Sequence, residues 1–148
     1  MNIVLASDHR GYELKEKIKQ FLEKRGHRII DAGTEGNDRT DYPVYALKGA
    51  GFLSSGKSEK GIFICGSGLG ICIAANKVKG IRAITARSAE DAAMGVRHNN
   101  ANIICLGADR TDFEQSVRIV EEFLNNSFEG GRHQNRIDML EDIENASG

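Results

Sequence analysis

This chain of 148 residues is short of the features that mark specialised proteins. Its charges nearly cancel, with 20 Lys and Arg against 21 Asp and Glu for a net charge of −1. Bulk electrostatics therefore gives no reason to expect a nucleic-acid partner. No apolar run approaches the roughly 18 residues that a membrane-spanning helix needs. The start, Met1-Asn2-Ile3-Val4-Leu5-Ala6, runs straight into a strand-like segment. It has no basic start, long apolar stretch or small-residue cleavage site of a signal peptide. Three cysteines, Cys65, Cys72 and Cys105, make an odd number with no Cys-x-x-Cys pair. That argues against a disulfide framework and against a structural zinc site. A cytoplasmic chain with reduced thiols, no membrane contact and no metal is expected. A single proline, Pro43, stands against 17 glycines, so tight turns and close backbone approaches fall to glycine. There is no internal repeat and no low-complexity segment. Length, 40% hydrophobic and 28% charged content suit one domain over residues 1–148, long enough to bury about 70% of its unfolded surface.

What the chain does have is a steady alternation of apolar runs and helical patterns. Strands are expected at Ile3–Ala6, Arg28–Asp31, Gly61–Cys65, Arg82–Thr85 and Asn102–Leu106. Helices are expected at Tyr12–Lys24, Val44–Leu53, Leu69–Val78, Ala89–Arg97 and Phe113–Asn125, with a last one from about Gln134 to Ile143. The first helix carries its apolar stripe at Leu14, Ile18, Phe21 and Leu22 and stops at Gly26. Its charges at Lys15, Glu16, Lys17, Lys19, Glu23 and Lys24 read as a solvated face. The strands are continuous apolar runs, the pattern of a parallel sheet covered on both faces. The expectation is a doubly wound, Rossmann-like α/β fold of about five parallel strands. Glu129-Gly130-Gly131 would be a hinge before an appended C-terminal helix.

The most informative segment is Ile62-Phe63-Ile64-Cys65-Gly66-Ser67-Gly68-Leu69-Gly70. It reads as a strand, a glycine loop and a helix start. Such a loop aims free backbone N–H groups, and the positive end of a helix, at one point. An anion is stabilised there, a thiolate included. Cys65 could be an inert core cysteine, but its place at a strand end before Gly-Ser-Gly favours a functional thiol. Cys72 and Cys105, inside a helix and a strand, read as core packing. In open α/β sheets, ligands bind outside the carboxyl ends of strands, which gathers Asp8-His9, Cys65, Asp109-Arg110 and His98-Asn99 near one rim. Asp8 suits a helix cap as well as a substrate contact, and His98 suits a helix C-terminus as well as a site. His27 and His133 have no distinctive placement. Arg132 and Arg136 lie four apart on one face at a helix start, an unusual place for two cations. With the helix dipole they would form a phosphate clamp.

Spacing removes several rivals. A cysteine phosphatase needs Cys-x5-Arg, and Ile71 stands six after Cys65. The dinucleotide fingerprint needs G-x-G-x-x-G with an acid about 20 residues on; here the pattern is G-x-G-x-G, followed near that distance by Thr85 and Arg87. A Walker A motif is absent. A phospho-receiver would carry aspartate where Cys65 stands. A Cys65–His98 hydrolase stays open, although nothing marks acyl chemistry. Proton transfer beside a carbonyl fits better. A thiolate can take the C2 proton of an opened aldose, loop amides can stabilise the enediolate, and a histidine can open the ring.

The motifs Ser7-Asp8-His9-x-Gly11, Thr40-Asp41-Tyr42-Pro43, Cys65-Gly66-Ser67-Gly68-x-Gly70 with Ile73-Ala74-Ala75-Asn76-Lys77, His98-Asn99-x-Ala101-Asn102, and Gly130-Gly131-Arg132-His133-x-x-Arg136 together resemble the B-type ribose-5-phosphate isomerases. That group includes the galactose-6-phosphate isomerase subunits and allose-6-phosphate isomerases. The resemblance runs from Asn2 to about Leu140. It implies an aldose–ketose isomerase interconverting ribose 5-phosphate and ribulose 5-phosphate, an enzyme of carbohydrate metabolism and the pentose phosphate pathway. Cys65 would be the proton shuttle between C1 and C2, and Ser67 would steady the enediolate. Gly66, Gly68 and Gly70 would supply the anion hole. Asp8, with His9 and Tyr42, would contact sugar hydroxyls or phosphate. His98 would open the ring, Asn99 would bind the reacting end, and Arg132 and Arg136 would hold the phosphate. No cofactor is implied. A homodimer, or a dimer of dimers, would share the site, with the His98 and Arg132 side coming from the partner.

Two departures stand out. The family has Leu-Gly-x-Arg after the fifth strand; here Asp109 holds that position and Arg110 is displaced by one. The family's Ser-Arg-x-His becomes Gly95-Val96-Arg97-His98. Either Arg110 restores the phosphate contact or one ligand is lost. The alternatives are a six-carbon sugar phosphate such as allose 6-phosphate or galactose 6-phosphate, a free aldose, or a non-catalytic sugar-phosphate sensor.

Overall fold

Five strands alternate with helices in the computed structural model, which describes residues 1–147. In chain order they are β1 (Asn2–Ser7), α1 (Tyr12–Lys24), β2 (Arg28–Asp31), α2 (Tyr42–Ser54), β3 (Lys60–Cys65), α3 (Gly70–Ala75), β4 (Ala83–Thr85), α4 (Ala89–Asn99), β5 (Ile103–Gly107), α5 (Phe113–Asn125) and α6 (Arg132–Ser147). Every strand pair is parallel, in the order β2-β1-β3-β5-β4. The doubly wound sheet and its appended C-terminal helix are as expected. Among the described residues, no helix is long and apolar enough to cross a membrane.

Side-chain alternation along the strands builds two cores. Ile3, Leu5, Ile62, Ile64, Ile104 and Leu106 face α1, α4 and α5. Val4, Ala6, Phe63, Cys65, Ile103 and Cys105 face α2 and α3. The chain after β1 thus enters a helix on one face, and the chain after β3 a helix on the other. The crevice between β1 and β3 is a switch point, where loops diverge and ligands bind.

Glycine in α2 lowers its intrinsic helicity, yet here it serves packing. A Cβ at Gly49 would stand 2.7 Å from Phe63 Cζ, so the helix can settle onto a fully buried ring. Lys15 is not part of a solvated face. Its side chain is 1% exposed, and its ammonium donates to Asp31 at 2.7 and 2.8 Å and to Glu16 at 3.0 Å. The long stem fills the core side of α1 while the charge meets carboxylates. Burial pushes the Asp31 carboxyl up, but hydrogen bonds from Lys15, the Gly33 N–H and Lys19 outweigh it and hold Asp31 below its ordinary value.

Two helices differ from the sequence expectation by more than two residues at an end. α3 stops at Ala75 because Asn76 turns to β4, donating to the Ala83 carbonyl at 2.9 Å and accepting from the Ala83 N–H at 2.8 Å. Its side chain offers the backbone an alternative to the helix. α6 begins at Arg132 and runs to Ser147, longer than the pattern suggested.

Candidate active site

β3 delivers Cys65 to the rim with 4% of its surface exposed. The chain then doubles back so that the Gly68 N–H donates to the Cys65 sulfur at 3.2 Å. Gly68 adopts φ +76°, and a Cβ there would stand 2.9 Å from the Gly107 nitrogen. Only glycine meets both demands. The Leu69 N–H donates to the Ser67 hydroxyl at 3.2 Å. The loop is stitched on both sides. The Ala108 N–H reaches the Cys65 carbonyl at 2.8 Å, the Asp109 N–H reaches the Gly66 carbonyl at 3.0 Å, and the Thr85 hydroxyl reaches the Gly68 carbonyl at 2.7 Å. α3 has only six residues. The thiol environment is therefore built from loop N–H groups rather than from a long helix dipole.

Across the β1/β3 crevice, Asp8 is 5% exposed. Its Oδ1 accepts from the N–H groups of Arg10 and Gly11 at 3.0 and 3.1 Å, which fixes the turn before α1; the helix N-cap is Gly11 with no side-chain cap bond, so Asp8 is not the cap. His9 is locked to the β2–α2 loop. Its N–H donates to the Thr40 hydroxyl at 3.1 Å, and its Nδ1 accepts from the Thr40 N–H at 3.2 Å. An accepting Nδ1 puts the ring proton on Nε2, on the far edge of the imidazole. The Tyr42 ring lies over Gly70, whose hypothetical Cβ would be 2.6 Å from Cζ. Asp8, His9, Tyr42, Cys65, Gly66, Ser67, Gly68 and Gly70 therefore converge on one rim.

The displaced arginine meets the rim at Ser67. Arg110 lines a cavity of about 210 Å³ with Ser67, Thr85, Arg87 and Thr111. Asp109 instead forms an ion pair with Arg10, a residue that sequence reasoning passed over.

His98, Arg132 and Arg136 belong to a second group. His98, in the last turn of α4, has Nε2 3.4 Å from Glu129 Oε1. Its ring stacks on His133, with centroids 4.3 Å apart and planes 14° from parallel. His133 and Ile137 are the buried residues of α6. Burial, then the neighbouring His98 and Arg132, lower the His133 pKa. Arg132 and Arg136 are exposed on the first turns of α6. Asn99 lines a separate cavity of about 840 Å³ between α6 and the β4 edge, with Asn76, Arg82, Leu140 and Ile143. No hydrogen bond or ion pair among the described residues joins this group to the glycine-loop rim. The role of His133 had no local signal, because only packing of α6 on α4 brings it to His98.

The two remaining thiols differ from each other. Cys105 is fully buried, and burial pushes its thiol up. Cys72 is partly buried and packs against the core on the α2 and α3 side, as expected. The hydrogen bond from Cys105 brings its pKa down to about 6, against the opposing effect of burial.

Residues 3–140 match the family described as Ribose/Galactose Isomerase. The chain is 41% identical to ribose-5-phosphate isomerase B of Escherichia coli over 142 residues, covering 96% of this chain and 95% of that protein. It is 42% identical to a probable ribose-5-phosphate isomerase B of Mycoplasma genitalium over 146 residues, covering 94% and 93%. Among solved structures, it superposes on ribose-5-phosphate isomerase B of Clostridium thermocellum with a TM-score of 0.99, 46% identity and full coverage of both chains. The Mycoplasma genitalium enzyme, solved with bound ribulose-5-phosphate, gives 0.92 at 40% identity, covering 97% of this chain and 96% of that one. The chain belongs to the ribose/galactose isomerase family.

Proposed function

From that membership, we propose that the chain interconverts ribose 5-phosphate and ribulose 5-phosphate, residues 1–148 acting as one sugar-phosphate isomerase domain. The observation that carries this reading is the Gly68 N–H on the Cys65 sulfur. It gives a thiolate a fixed hydrogen bond at the mouth of an anion-binding loop. His98 assists ring opening. Cys65 removes the C2 proton of the open aldose, and the electron pair moves to the C1 carbonyl oxygen. The resulting enediolate is held by loop N–H groups and the Ser67 hydroxyl. The O2 hydroxyl proton passes to O1 while the Cys65 thiol returns its proton to C1, and ribulose 5-phosphate results with the thiolate restored. Asp8 Oδ2, the His9 Nε2–H and the Tyr42 hydroxyl are available for sugar hydroxyls. Arg132 and Arg136 hold the phosphate, and Asn99 binds the reacting end. No step requires a metal or organic cofactor.

The working unit in this reading is a homodimer, or a dimer of dimers, in which a second copy supplies His98, Asn99, Arg132 and Arg136. Two observations support it. No hydrogen bond or ion pair among the described residues joins the glycine-loop rim to the His98 group. Val44, Leu47 and Ile73 on α2 and α3, and Met139, Leu140 and Ile143 on α6, leave large apolar surface exposed.

The test is proton NMR of the pure protein with ribose 5-phosphate in deuterated water. Ribulose 5-phosphate should appear as the C2 proton signal disappears. Solvent exchange without ketose would move the assignment to a six-carbon or free sugar, and no reaction would favour a sensor.

A further inference from the structure

We infer that Arg10 is a substrate-phosphate ligand in this chain, held in place by Asp109. The inference rests on the sugar-phosphate reading above and extends it to Arg10, which the motifs left unassigned, and to Asp109, which stands where the family has arginine. The loops after β1 and β5 meet over Gly66, the residue following Cys65. A Cβ at Gly66 would stand 3.0 Å from Arg10 Cζ, Arg10 Nε and Asp109 Oδ2. The guanidinium thus rests on the first glycine of the anion loop, at the β1/β3 crevice.

Both ends of the ion pair are fixed by their own backbones. The Arg10 N–H donates to Asp8 Oδ1 at 3.0 Å, and the Asp109 N–H donates to the Gly66 carbonyl at 3.0 Å. Asp109 Oδ2 takes Arg10 Nη2. The Nε and Nη1 groups make no hydrogen bond among the described residues, so one edge of the guanidinium is anchored while donors remain for an oxyanion. The side chains are 57% and 47% exposed. A surface ion pair of that kind adds little stability, so stability does not account for the arrangement. A preset orientation does: less side-chain freedom is lost when the anion arrives. Arg110, by contrast, faces the cavity shared with Ser67, Thr85 and Arg87.

Steady-state kinetics with ribose 5-phosphate on wild type, Arg10→Ala, Arg10→Lys and Asp109→Ala test this. Arg10→Ala should raise KM at least about tenfold, the loss of one charge-assisted hydrogen bond, with kcat within about threefold. Arg10→Lys should recover part of that loss, and Asp109→Ala should raise KM by less. An unchanged KM in Arg10→Ala would overturn the inference. A lower KM in Asp109→Ala would overturn the positioning role, because Asp109 would then be competing with substrate. If the wild type does not turn over, the reaction reading fails by itself. Phosphorus NMR titration with inorganic phosphate then still tests Arg10, with weaker binding in Arg10→Ala expected and equal binding refuting it.

Discussion

The glycine-loop rim and the α4–α6 junction hold the two halves of the proposed chemistry and are built in opposite ways. At the rim, β3 and β5 carry Cys65 and Gly107 in the core, and the loop carbonyls accept from the Thr85 hydroxyl on β4 and from the N–H groups of Ala108 and Asp109 just after β5. Motion of Cys65 would require the sheet to move. At the junction, α6 is anchored by His133 and Ile137 and leaves Met139, Leu140 and Ile143 exposed. Rigidity suits a group that must meet a particular carbon, because misplacement by about 1 Å can cost a hundredfold in rate. A phosphate clamp tolerates more movement, since guanidinium groups follow a mobile anion. The difference teaches that, in the proposed reading, the half performing proton transfer is fixed by the fold of one chain, and the half gripping the substrate would be completed by a second copy.

The sharpest way to break this division is to disable each half separately. Cys65→Ala should lower kcat by about a hundredfold or more, the lower range of general-base contributions, with folding intact. His98→Ala should also fall sharply. Mixing the two after subunit exchange should restore activity, because a mixed dimer holds one site with both Cys65 and His98. No recovery in a demonstrated heterodimer would refute the shared site. A smaller effect is expected at the clamp. Arg136→Ala should raise KM for ribose 5-phosphate about tenfold and leave any turnover of free ribose unchanged. An equal effect on both sugars would remove Arg136 from the phosphate.

The smallest effect concerns pH. The pKa of His133 is lowered from 6.5 in the fold, so folding favours its neutral ring. Its stabilising contribution is therefore complete above pH 6.5 and is lost as pH falls through the lowered value. Protonation would place a cation against the stacked His98 and beside Arg132. The melting temperature should decline between pH 7 and pH 5 more in wild type than in His133→Gln. An identical decline would place the sensitivity elsewhere, with His27, also lowered, the next candidate.

Much of the rim was legible because its signals are local. A continuous apolar run followed by Cys-Gly-Ser-Gly can be read along a single stretch of chain, and so can the helical stripe of α1. The end of α3 was not legible, because the reason for it is the bond between Asn76 and a strand seven residues on. The burial of Lys15 was hidden for the same reason: its partner Asp31 lies on β2, and only the packing of α1 on the sheet closes the distance. The fate of Arg110 could be posed as a question but not answered from sequence.

The sequence by itself determined the order and type of the elements, the thiol on its glycine loop and the paired arginines at the start of α6. These depend on periodicity, backbone conformation and spacing, which act over a few residues. Tertiary structure alone decided that Arg10 meets Asp109 over Gly66, that His133 stacks on His98, and that no hydrogen bond or ion pair among the described residues links the thiol loop to the α6 arginines. Those outcomes depend on how parallel strands are ordered across the sheet, where residues about 100 positions apart become neighbours through packing that no local pattern encodes.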